Sequence, residues 1–340
     1  MSIQAAGYPG RFFLSPHSRA CVYFCDMRFL VPFLFCLIIL PCTALCQEDS
    51  LDNKRLASMI TLTDVVIGKD FNVARFITLV KNDTTFYKAF KNLRILGFTS
   101  LNDIRMNDKR GKQKASLTSR TRQEVANGCR TMVTESETLT GDMKDRRGDF
   151  NYYTAELYAS LFFTQGQICG ENNIVHDSSI DPRGKTGIDK RKEQLKMLFF
   201  NPGKRIPGIP FMGGKSNIFD PDIAKYYDMQ VDAGTYQGRD CFIFSVKARE
   251  NLNSNERDKI VYDNMTTWFD AKSLEILARN YDLSYNAGAY KFDVSMEVQL
   301  TRFGSLQVPS VLRYKGDWDV IFKKRERGVF TATLFDFRRP

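Results

Sequence analysis

The sequence predicts an α+β fold, mainly antiparallel β, in which a curved, unclosed β-barrel is covered by amphipathic helices. Two observations lead to this prediction. From Tyr226 onward, short apolar or alternating runs are separated by turn sequences such as NAG and RERG, which is typical of consecutive hairpins. Earlier in the chain, two helical segments each carry one apolar stripe, so each needs an apolar surface to cover.

The first element in chain order is a predicted signal peptide at residues 27–46. It contains one arginine, an apolar core and the small-residue end Ala44-Leu45-Cys46, which are the three regions of a secretory signal. A membrane anchor is the alternative, but two prolines interrupt the apolar run and no basic stop follows it. Residues 1–26 are interpreted as an upstream extension or a mis-called start. We therefore expect a periplasmic or secreted protein, with association with the outer membrane left open.

Charge and cysteine content restrict the classes of function. The net charge of +10 would permit nucleic-acid binding, but an exported chain has little access to nucleic acid. An anionic membrane surface is a better partner, and a solvated basic surface is the alternative. After the signal the chain keeps Cys129, Cys169 and Cys241. Three cysteines allow at most one internal disulfide, and buried free thiols are equally compatible with the sequence.

Two amphipathic helices are expected at the start of a single domain that spans residues 70–340, after a polar lead-in at residues 47–69. The first helix starts near Asp70, and Asp83 is positioned to cap the second. The apolar stripes consist of Val73, Phe76, Ile77 and Val80 in the first helix and Phe86, Phe90 and Leu93 in the second.

The middle of the domain combines a hairpin with an insertion. Asn127-Gly128 lies between the β-prone runs 117–125 and 130–140, which is a strong hairpin signal. Because these runs are mostly polar, we expect both strands at a solvent-exposed margin of the sheet. Residues 150–225 are expected to be a helical and loop insertion, in which the helix 152–164 is buried from two directions.

The clearest strand signal is the segment from Tyr290 to Leu300. Every second side chain in it is apolar and the side chains between are polar or charged, so the strand has one buried face and one solvated face. Further strands are predicted at Pro309–Tyr314 and Trp318–Lys323, separated by a turn at YKGDW.

No motif in the sequence specifies catalysis or a metal centre. The segment GIPFMGGKS at residues 208–216 lacks the first glycine of a phosphate-binding loop. His176 is the one histidine after the signal, and the chain contains neither G-x-S-x-G nor C-x-x-C. The carboxylate pairs Asp220/Asp222 and Asp317/Asp319 are explained more simply as solvated charge. We therefore expect a non-enzymatic protein without a cofactor or metal.

The concave face of the sheet is the remaining candidate site. An open barrel leaves space for an apolar ligand, while a filled core built from the same residues is the alternative. The candidate cavity-lining residues are Leu277, Arg279, Tyr281, Leu283, Tyr285, Tyr290, Phe292, Val294, Met296 and Val298. Arg279 differs from the others, since the strand alternation places its cation among apolar neighbours.

The segment WFDAKSLEILARNYDL, from Trp268 to Leu283, resembles periplasmic proteins related to the lipoprotein carrier LolA. The order of signal peptide, early amphipathic helix, alternating strands, helical interlude and further strands is similar as well. The resemblance spans about residues 60–337 and implies an unclosed antiparallel barrel that holds acyl chains beneath helices. The chain is much longer than a minimal carrier, so the expected partner is a lipid or acylated ligand in general, not lipoproteins specifically.

Two other functions remain as alternatives. The same sheet with a solid core would make an envelope interaction module that contacts envelope proteins through its basic surface. An exported hydrolase would have to use His176 or one of the aspartate pairs.

Overall fold

The computed structural model describes residues 51–63, 71–175, 197, 199–205, 214–286, 290–320 and 324–340. The helices are α1 (residues 51–58), α2 (Val73–Asn82), α3 (Thr85–Asn92), α4 (Tyr153–Phe162), α5 (Pro221–Ala224) and α6 (Ser254–Arg257). The strands are β1 (Ile60–Leu62), β2 (Gly97–Asn107), β3 (Gln113–Ala126), β4 (Cys129–Thr140), β5 (Ile168–Cys169), β6 (Tyr227–Tyr236), β7 (Arg239–Ala248), β8 (Tyr262–Asp270), β9 (Ile276–Asn286), β10 (Tyr290–Phe303), β11 (Leu306–Val320) and β12 (Glu326–Arg338).

All twelve strands belong to one sheet, in the order β1-β6-β7-β8-β9-β10-β11-β12-β2-β3-β4-β5. β1 pairs with β6 in parallel, and every other neighbouring pair is antiparallel. β1 and β5 are the two edges, so the sheet is not closed. The predicted fold class, a mainly antiparallel unclosed sheet with a few helices, is confirmed.

The strand register defines which side chains share a face. Directly opposed residues of neighbouring strands point to the same side of a sheet. One row of opposed residues crosses eleven strands and consists of Ile60, Met229, Val246, Met265, Tyr281, Met296, Tyr314, Phe330, Ile104, Leu117 and Leu139. We call the side that carries this row the inner face, and it is the side that α2, α3 and α4 cover.

The helices α2 and α3 use their apolar stripes as the sequence predicts. α2 begins one turn later than expected, because the side chain of Asn72 accepts the capping hydrogen bond from the backbone N–H of Arg75 at 2.9 Å. Its Phe76 packs on inner-face rings at 5.8 Å from Phe244 and 5.2 Å from Phe269. In α3, Asp83 takes the capping role that the sequence predicts, accepting from the Thr85 N–H at 3.1 Å.

The helix α4 is capped from a distant strand. Its N-cap residue, Tyr152, makes no side-chain capping hydrogen bond. Instead, the carboxylate of Glu326 in β12 accepts the backbone N–H groups of Tyr153 at 2.9 Å and Thr154 at 2.8 Å. Tyr158 then packs 4.3 Å from Phe330 of the same strand. This contact and the cap fix α4 over β12.

Two of the local predictions about strands are confirmed. Asn127 and Gly128 adopt φ angles of 53° and 70° and join β3 to β4, as expected for an Asn-Gly hairpin. In β10, the alternate side chains from Phe292 to Val298 are buried. The side chain of Tyr290 lies outside the described part of the chain.

The predicted turn at YKGDW is wrong, because β11 runs without interruption through it. Gly316 pairs with Val294 on one side and Gly328 on the other. A Cβ at Gly316 would overlap the Tyr314 hydroxyl and lie 2.8 Å from the indole nitrogen of Trp318. The glycine therefore gives room to two large rings on the inner face instead of bending the chain.

Two further expectations are corrected. β4 is exposed, as predicted, but the inner face of β3 is buried and carries Ser119, Thr121 and Gln123. The predicted polar lead-in contains α1 and β1, and the latter pairs with β6. The signal peptide, His176 and residues 206–213 of the glycine-rich loop lie outside the described residues. No helix within the described ranges has the length and apolar character that a membrane crossing requires.

Candidate functional site

The inner face has two chemically different halves. A second row of opposed residues, read from β6 to β3, consists of Val231, Phe244, Thr267, Arg279, Val298, Leu312, Ala332, Asn102 and Ser119. We call the inner face of β7 to β11 the apolar half. The polar half, on β2 and β3, consists of Ser100, Asn102, Ser119, Thr121 and Gln123, which are all buried.

The residues predicted from the sequence come together in the apolar half. The predicted residues with described side chains are all buried: Leu277, Arg279, Tyr281, Leu283, Tyr285, Phe292, Val294, Met296 and Val298. Those of β9 lie opposite those of β10, as in the pairs Tyr281–Met296 and Leu283–Val294. Burial is expected of a core and of a covered ligand site alike, so the cavity-lining role stays a prediction.

Arg279 is a buried cation at the centre of the apolar half, 6% exposed. Its Nε donates a hydrogen bond to the Thr267 hydroxyl at 2.9 Å, and its guanidinium lies 4.6 Å from the ring centroid of Phe86 in α3. No carboxylate of the described residues lies within ion-pair distance, although the charge of Asp83 acts on it from further away. Burial lowers the pKa of Arg279, since the charged form loses its hydration.

Buried tyrosines attach the segment 199–205 to the apolar half. The Tyr281 hydroxyl donates to the carbonyl of Phe199 at 2.7 Å. The Tyr262 hydroxyl accepts from the N–H of Gly203 at 3.0 Å, and burial raises the pKa of Tyr262 to about 12. Two buried hydroxyls, those of Tyr158 and Tyr227, have no hydrogen-bond partner among the described residues. Residues 199–205 are thus held on the apolar half by hydrogen bonds as well as by apolar contacts.

The polar half is a network of neutral side chains. The Asn102 amide donates to Thr121 at 3.2 Å, and its oxygen accepts from Ser100 at 2.8 Å. The amide of Gln123 donates to the carbonyls of Leu93 at 2.7 Å and Leu96 at 2.8 Å. These bonds satisfy buried polar groups that would otherwise destabilise the fold.

A cavity of about 110 Å³ lies at the polar half, between α3, α4 and strands β2, β3 and β12. We call it the α3–α4 pocket. Its aromatic wall contains Phe90, Phe98, Phe162 and Phe200, and its floor contains Ser100, Asn102 and Gln123. A second cavity of about 220 Å³ lies between β3, β4, α4 and residues 144–150. Both volumes are below the roughly 300 Å³ at which ligand pockets begin.

Charged side chains border the α3–α4 pocket. They are Lys91, Arg94, Arg130 and Glu171. Glu171 pairs with Arg94 at 3.4 Å and also with Arg130. A disulfide between Cys129 and Cys169 holds β5 against β4 beside this group, while Cys241 is a buried free thiol. The pairing of the cysteines, which the sequence left open, is therefore between Cys129 and Cys169.

Sequence reasoning does not find this pocket, because the polar residues of β3 predict a solvent-exposed strand. The signal that could have found it is the period-two spacing of Ser119, Thr121 and Gln123, which puts three neutral polar groups on one face of a strand. Neutral polar residues suit a buried network as well as a wet surface, and only the position of α4 distinguishes the two.

The predicted carboxylate pairs have structural roles. Asp317 accepts from Arg325 at 2.7 and 2.8 Å and from Arg327 at 3.0 Å. Asp220 caps α5 by accepting from the N–H of Asp222 at 2.9 Å. Within the described ranges, no three His, Cys, Asp or Glu side chains are grouped so that they could hold a metal ion.

Comparisons with known proteins give only distant neighbours. No family model matches the chain, and no curated protein matches it. Among solved structures, a domain described as an outer membrane lipoprotein-sorting protein from Vibrio parahaemolyticus is similar over 73% of this chain and 88% of that one, with 9% identity and a TM-score of 0.25. A DUF1329 family protein from Desulfovibrio piger is similar over 75% and 90%, with 11% identity and a TM-score of 0.23. At these TM-scores the likeness carries no argument about function, and the fold assignment rests on the sheet and helices of this chain.

Proposed function

We propose that this protein is an exported, non-enzymatic, carrier-like protein that binds a lipid or acyl moiety on the inner face of its sheet. The observation that supports the proposal is Arg279, a buried cation of the apolar half that lies under the ring of Phe86. A buried charge without an ionic partner is costly to the fold and is typical of functional sites. An oxygen-rich group at the head of an acyl chain would supply the ionic partner that the described residues do not provide.

In this proposal the apolar half removes the acyl chain from water. Burial of each CH₂ group contributes about 0.8 kcal/mol. Neither of these two cavities, of about 110 and 220 Å³, can hold a long chain, and in this proposal the covering helices move to admit it. Displacement of α3 would uncover the guanidinium of Arg279, because Phe86 of that helix lies directly over it.

The test is binding of a fluorescent fatty acid to delipidated protein, compared with the variant Arg279→Met. We expect the variant to bind about tenfold more weakly, since one charge-assisted hydrogen bond contributes about 1.5–3 kcal/mol. Methionine has a similar length and needs no partner, so the variant should fold at least as stably as the original. Arg313→Met is the matched control, because Arg313 is exposed and pairs with Glu297 at 3.2 Å.

Two results would count against lipid binding. One is an original protein that does not bind the probe, and the other is equal affinity in the original protein and Arg279→Met. The alternative of an envelope interaction module is favoured by one observation, the burial of all the predicted cavity-lining residues whose side chains are described. Native mass spectrometry of protein purified from its own envelope separates the two, since a carrier retains a lipid mass and an interaction module retains a protein partner.

A further inference from the structure

We infer that the α3–α4 pocket is an anion-binding site suited to the phosphate or carboxylate head of an amphiphile. It lies in a different part of the inner face from Arg279, and a free anion would occupy it as well as a lipid head group. The inference therefore does not depend on acyl binding in the apolar half.

The first argument is the charge around the pocket. Arg94 and Arg130 share the single carboxylate of Glu171. The Lys91 ammonium contacts the carbonyl oxygen of Ile174 and has no carboxylate within ion-pair distance among the described residues. Among the described residues that line the pocket, three cations thus face one anion. Burial and the neighbouring charge of Arg94 lower the pKa of Lys91, while the charge of Glu171 acts in the opposite direction.

The second argument is that the floor of the pocket brings no competing acid. The oxygen of Gln123 accepts from Thr164 at 2.9 Å, and its nitrogen donates to two backbone carbonyls. The hydroxyls and amides of the polar half are neutral, so they do not repel an anion, although their donors are engaged within the network. The volume of about 110 Å³ corresponds to a few water molecules, which is the scale of one small anionic group.

The third argument concerns the wall opposite the floor. Phe90 stacks on Phe200 at 4.0 Å, and Phe162 meets Phe200 edge-on at 6.0 Å. Aromatic rings next to a cationic group suit a ligand with a polar head and an apolar tail. Orthophosphate would use the cations alone, whereas an alkyl phosphate would use the rings as well.

The fourth argument is that the charged groups are held in place. Arg130 directly follows Cys129, and Glu171 lies two residues after Cys169, so the disulfide joins the two segments that carry them. Arg130 is further restrained by its hydrogen bond to Thr164. Preorganised donors bind an anion more strongly than flexible surface lysines, because less side-chain entropy is lost.

The experiment is isothermal titration calorimetry at constant, low ionic strength with three probes: inorganic phosphate, decyl phosphate and decanol. Arg94→Gln should weaken binding of both phosphates by about five- to tenfold, since a charge-assisted donor is lost. Glu171→Gln should tighten binding by a similar factor, because it removes the carboxylate that competes for the two arginines. Arg325→Gln is the control, since Arg325 is an exposed arginine of the β11–β12 connection and pairs with Asp317.

The two pocket variants are expected to change the affinity for phosphate in opposite directions. Tighter binding of decyl phosphate than of inorganic phosphate supports an amphiphile head-group site, and equal affinity supports a free-anion site. No phosphate binding, or the same affinity in Arg94→Gln, Glu171→Gln and the control, would overturn the inference. Thermal unfolding of each variant without ligand verifies that it is folded. If the protein binds phosphate but not the fluorescent fatty acid, the anion site is supported and only the proposed lipid-binding function is contradicted.

Discussion

Within the segment Trp268–Leu283, Asp270 has the most clearly defined structural role. Its carboxylate accepts the backbone N–H groups of Ser273 at 2.9 Å and Lys272 at 3.0 Å. Arg239 of β7 donates to it at 2.6 Å. The next residue of the turn, Leu274, has a φ of 57°, which a side chain other than glycine adopts only when neighbours hold it there. The Asp of this segment therefore closes the β8–β9 turn, and its presence needs no ligand.

This carboxylate makes the stability of the protein sensitive to acid. The backbone hydrogen bond from Ser273, together with the backbone bond from Lys272 and the side-chain bond from Arg239, lowers the pKa of Asp270 from its ordinary 3.8 to about 2. The native state thus favours the ionised form, so the stabilisation is complete above the unfolded pKa and is lost as the pH falls from about 4 to about 2. Asp270→Asn should be about 1–2 kcal/mol less stable at pH 7, with a smaller loss on acidification.

Urea unfolding at pH 7, 4 and 3 measures this difference. Asp240→Asn, an exposed neighbour on β7, serves as the control and should behave like the original protein. If Asp270→Asn and the original protein lose the same free energy of unfolding between pH 4 and pH 3, Asp270 does not carry this acid sensitivity.

At the scale of elements, local chemistry was sufficient for some predictions and tertiary contacts decided the others. The Asn127-Gly128 turn and the alternating strand β10 follow from backbone preference and period-two burial within a few residues. The continuous course of β11 through Gly316 depends on Tyr314 and Trp318 packing over that glycine, which the local sequence does not reveal. The pairing of β1 with β6 joins segments almost 170 residues apart, from Ile60 to Met229, and no local pattern encodes it.

The candidate site was predictable to the same extent. The apolar half could be found because its alternation is strict, and Arg279 because a cation interrupts it. The α3–α4 pocket could not be found, since its charged rim comes from α3, β4 and the segment after β5, which meet only in the folded sheet. The capping of α4 by Glu326 could not be predicted from the sequence either, because Glu326 and Thr154 lie 172 residues apart.

The disulfide is the element-scale feature with the largest expected effect on stability. It closes a loop of 40 residues, which corresponds to about 4 kcal/mol in the chain-entropy model. Cys129→Ala/Cys169→Ala should therefore unfold at a temperature lower by roughly 5–10 °C. Non-reducing peptide mapping should recover the linked Cys129 and Cys169 peptides from the original protein.

Cys241→Ala is the matched control for the disulfide variant. It removes a buried thiol that is not cross-linked, so its effect reports the loss of side-chain packing alone. A double variant as stable as this control would mean that the cross-link contributes nothing, and a map with Cys129 and Cys169 unlinked would contradict the pairing itself.

At the scale of the whole molecule, the arrangement of the inner face connects the two proposals. A single row of opposed residues passes from Arg279 through Val298, Leu312 and Ala332 to Asn102. An apolar half and a polar half are thus joined on one surface beneath the helices. An acyl ligand whose head group pairs with Arg279 and an anion in the α3–α4 pocket would therefore bind at two ends of the same surface.

The two tryptophans of the chain allow this geometry to be tested, because they lie on opposite faces. Trp318 is buried on the inner face, 4.9 Å from Phe292. Trp268 neighbours Thr267 and Phe269 of the inner face in β8, so its own side chain points to the outer face, where it lies 5.4 Å from Tyr236. A brominated fatty acid quenches an indole only on close approach, so each tryptophan reports on one face.

We expect the brominated fatty acid to quench Trp318 in the variant Trp268→Phe and to leave Trp268 unquenched in Trp318→Phe. The non-brominated fatty acid controls for changes in fluorescence that binding itself causes. Both fatty acids are used below the critical micelle concentration, so that detergent effects are avoided. Equal quenching of both tryptophans would indicate adhesion to the outer surface. Quenching of Trp268 alone would place the ligand on the wrong face of the sheet, and the proposed carrier function would then fail even though the protein binds fatty acids.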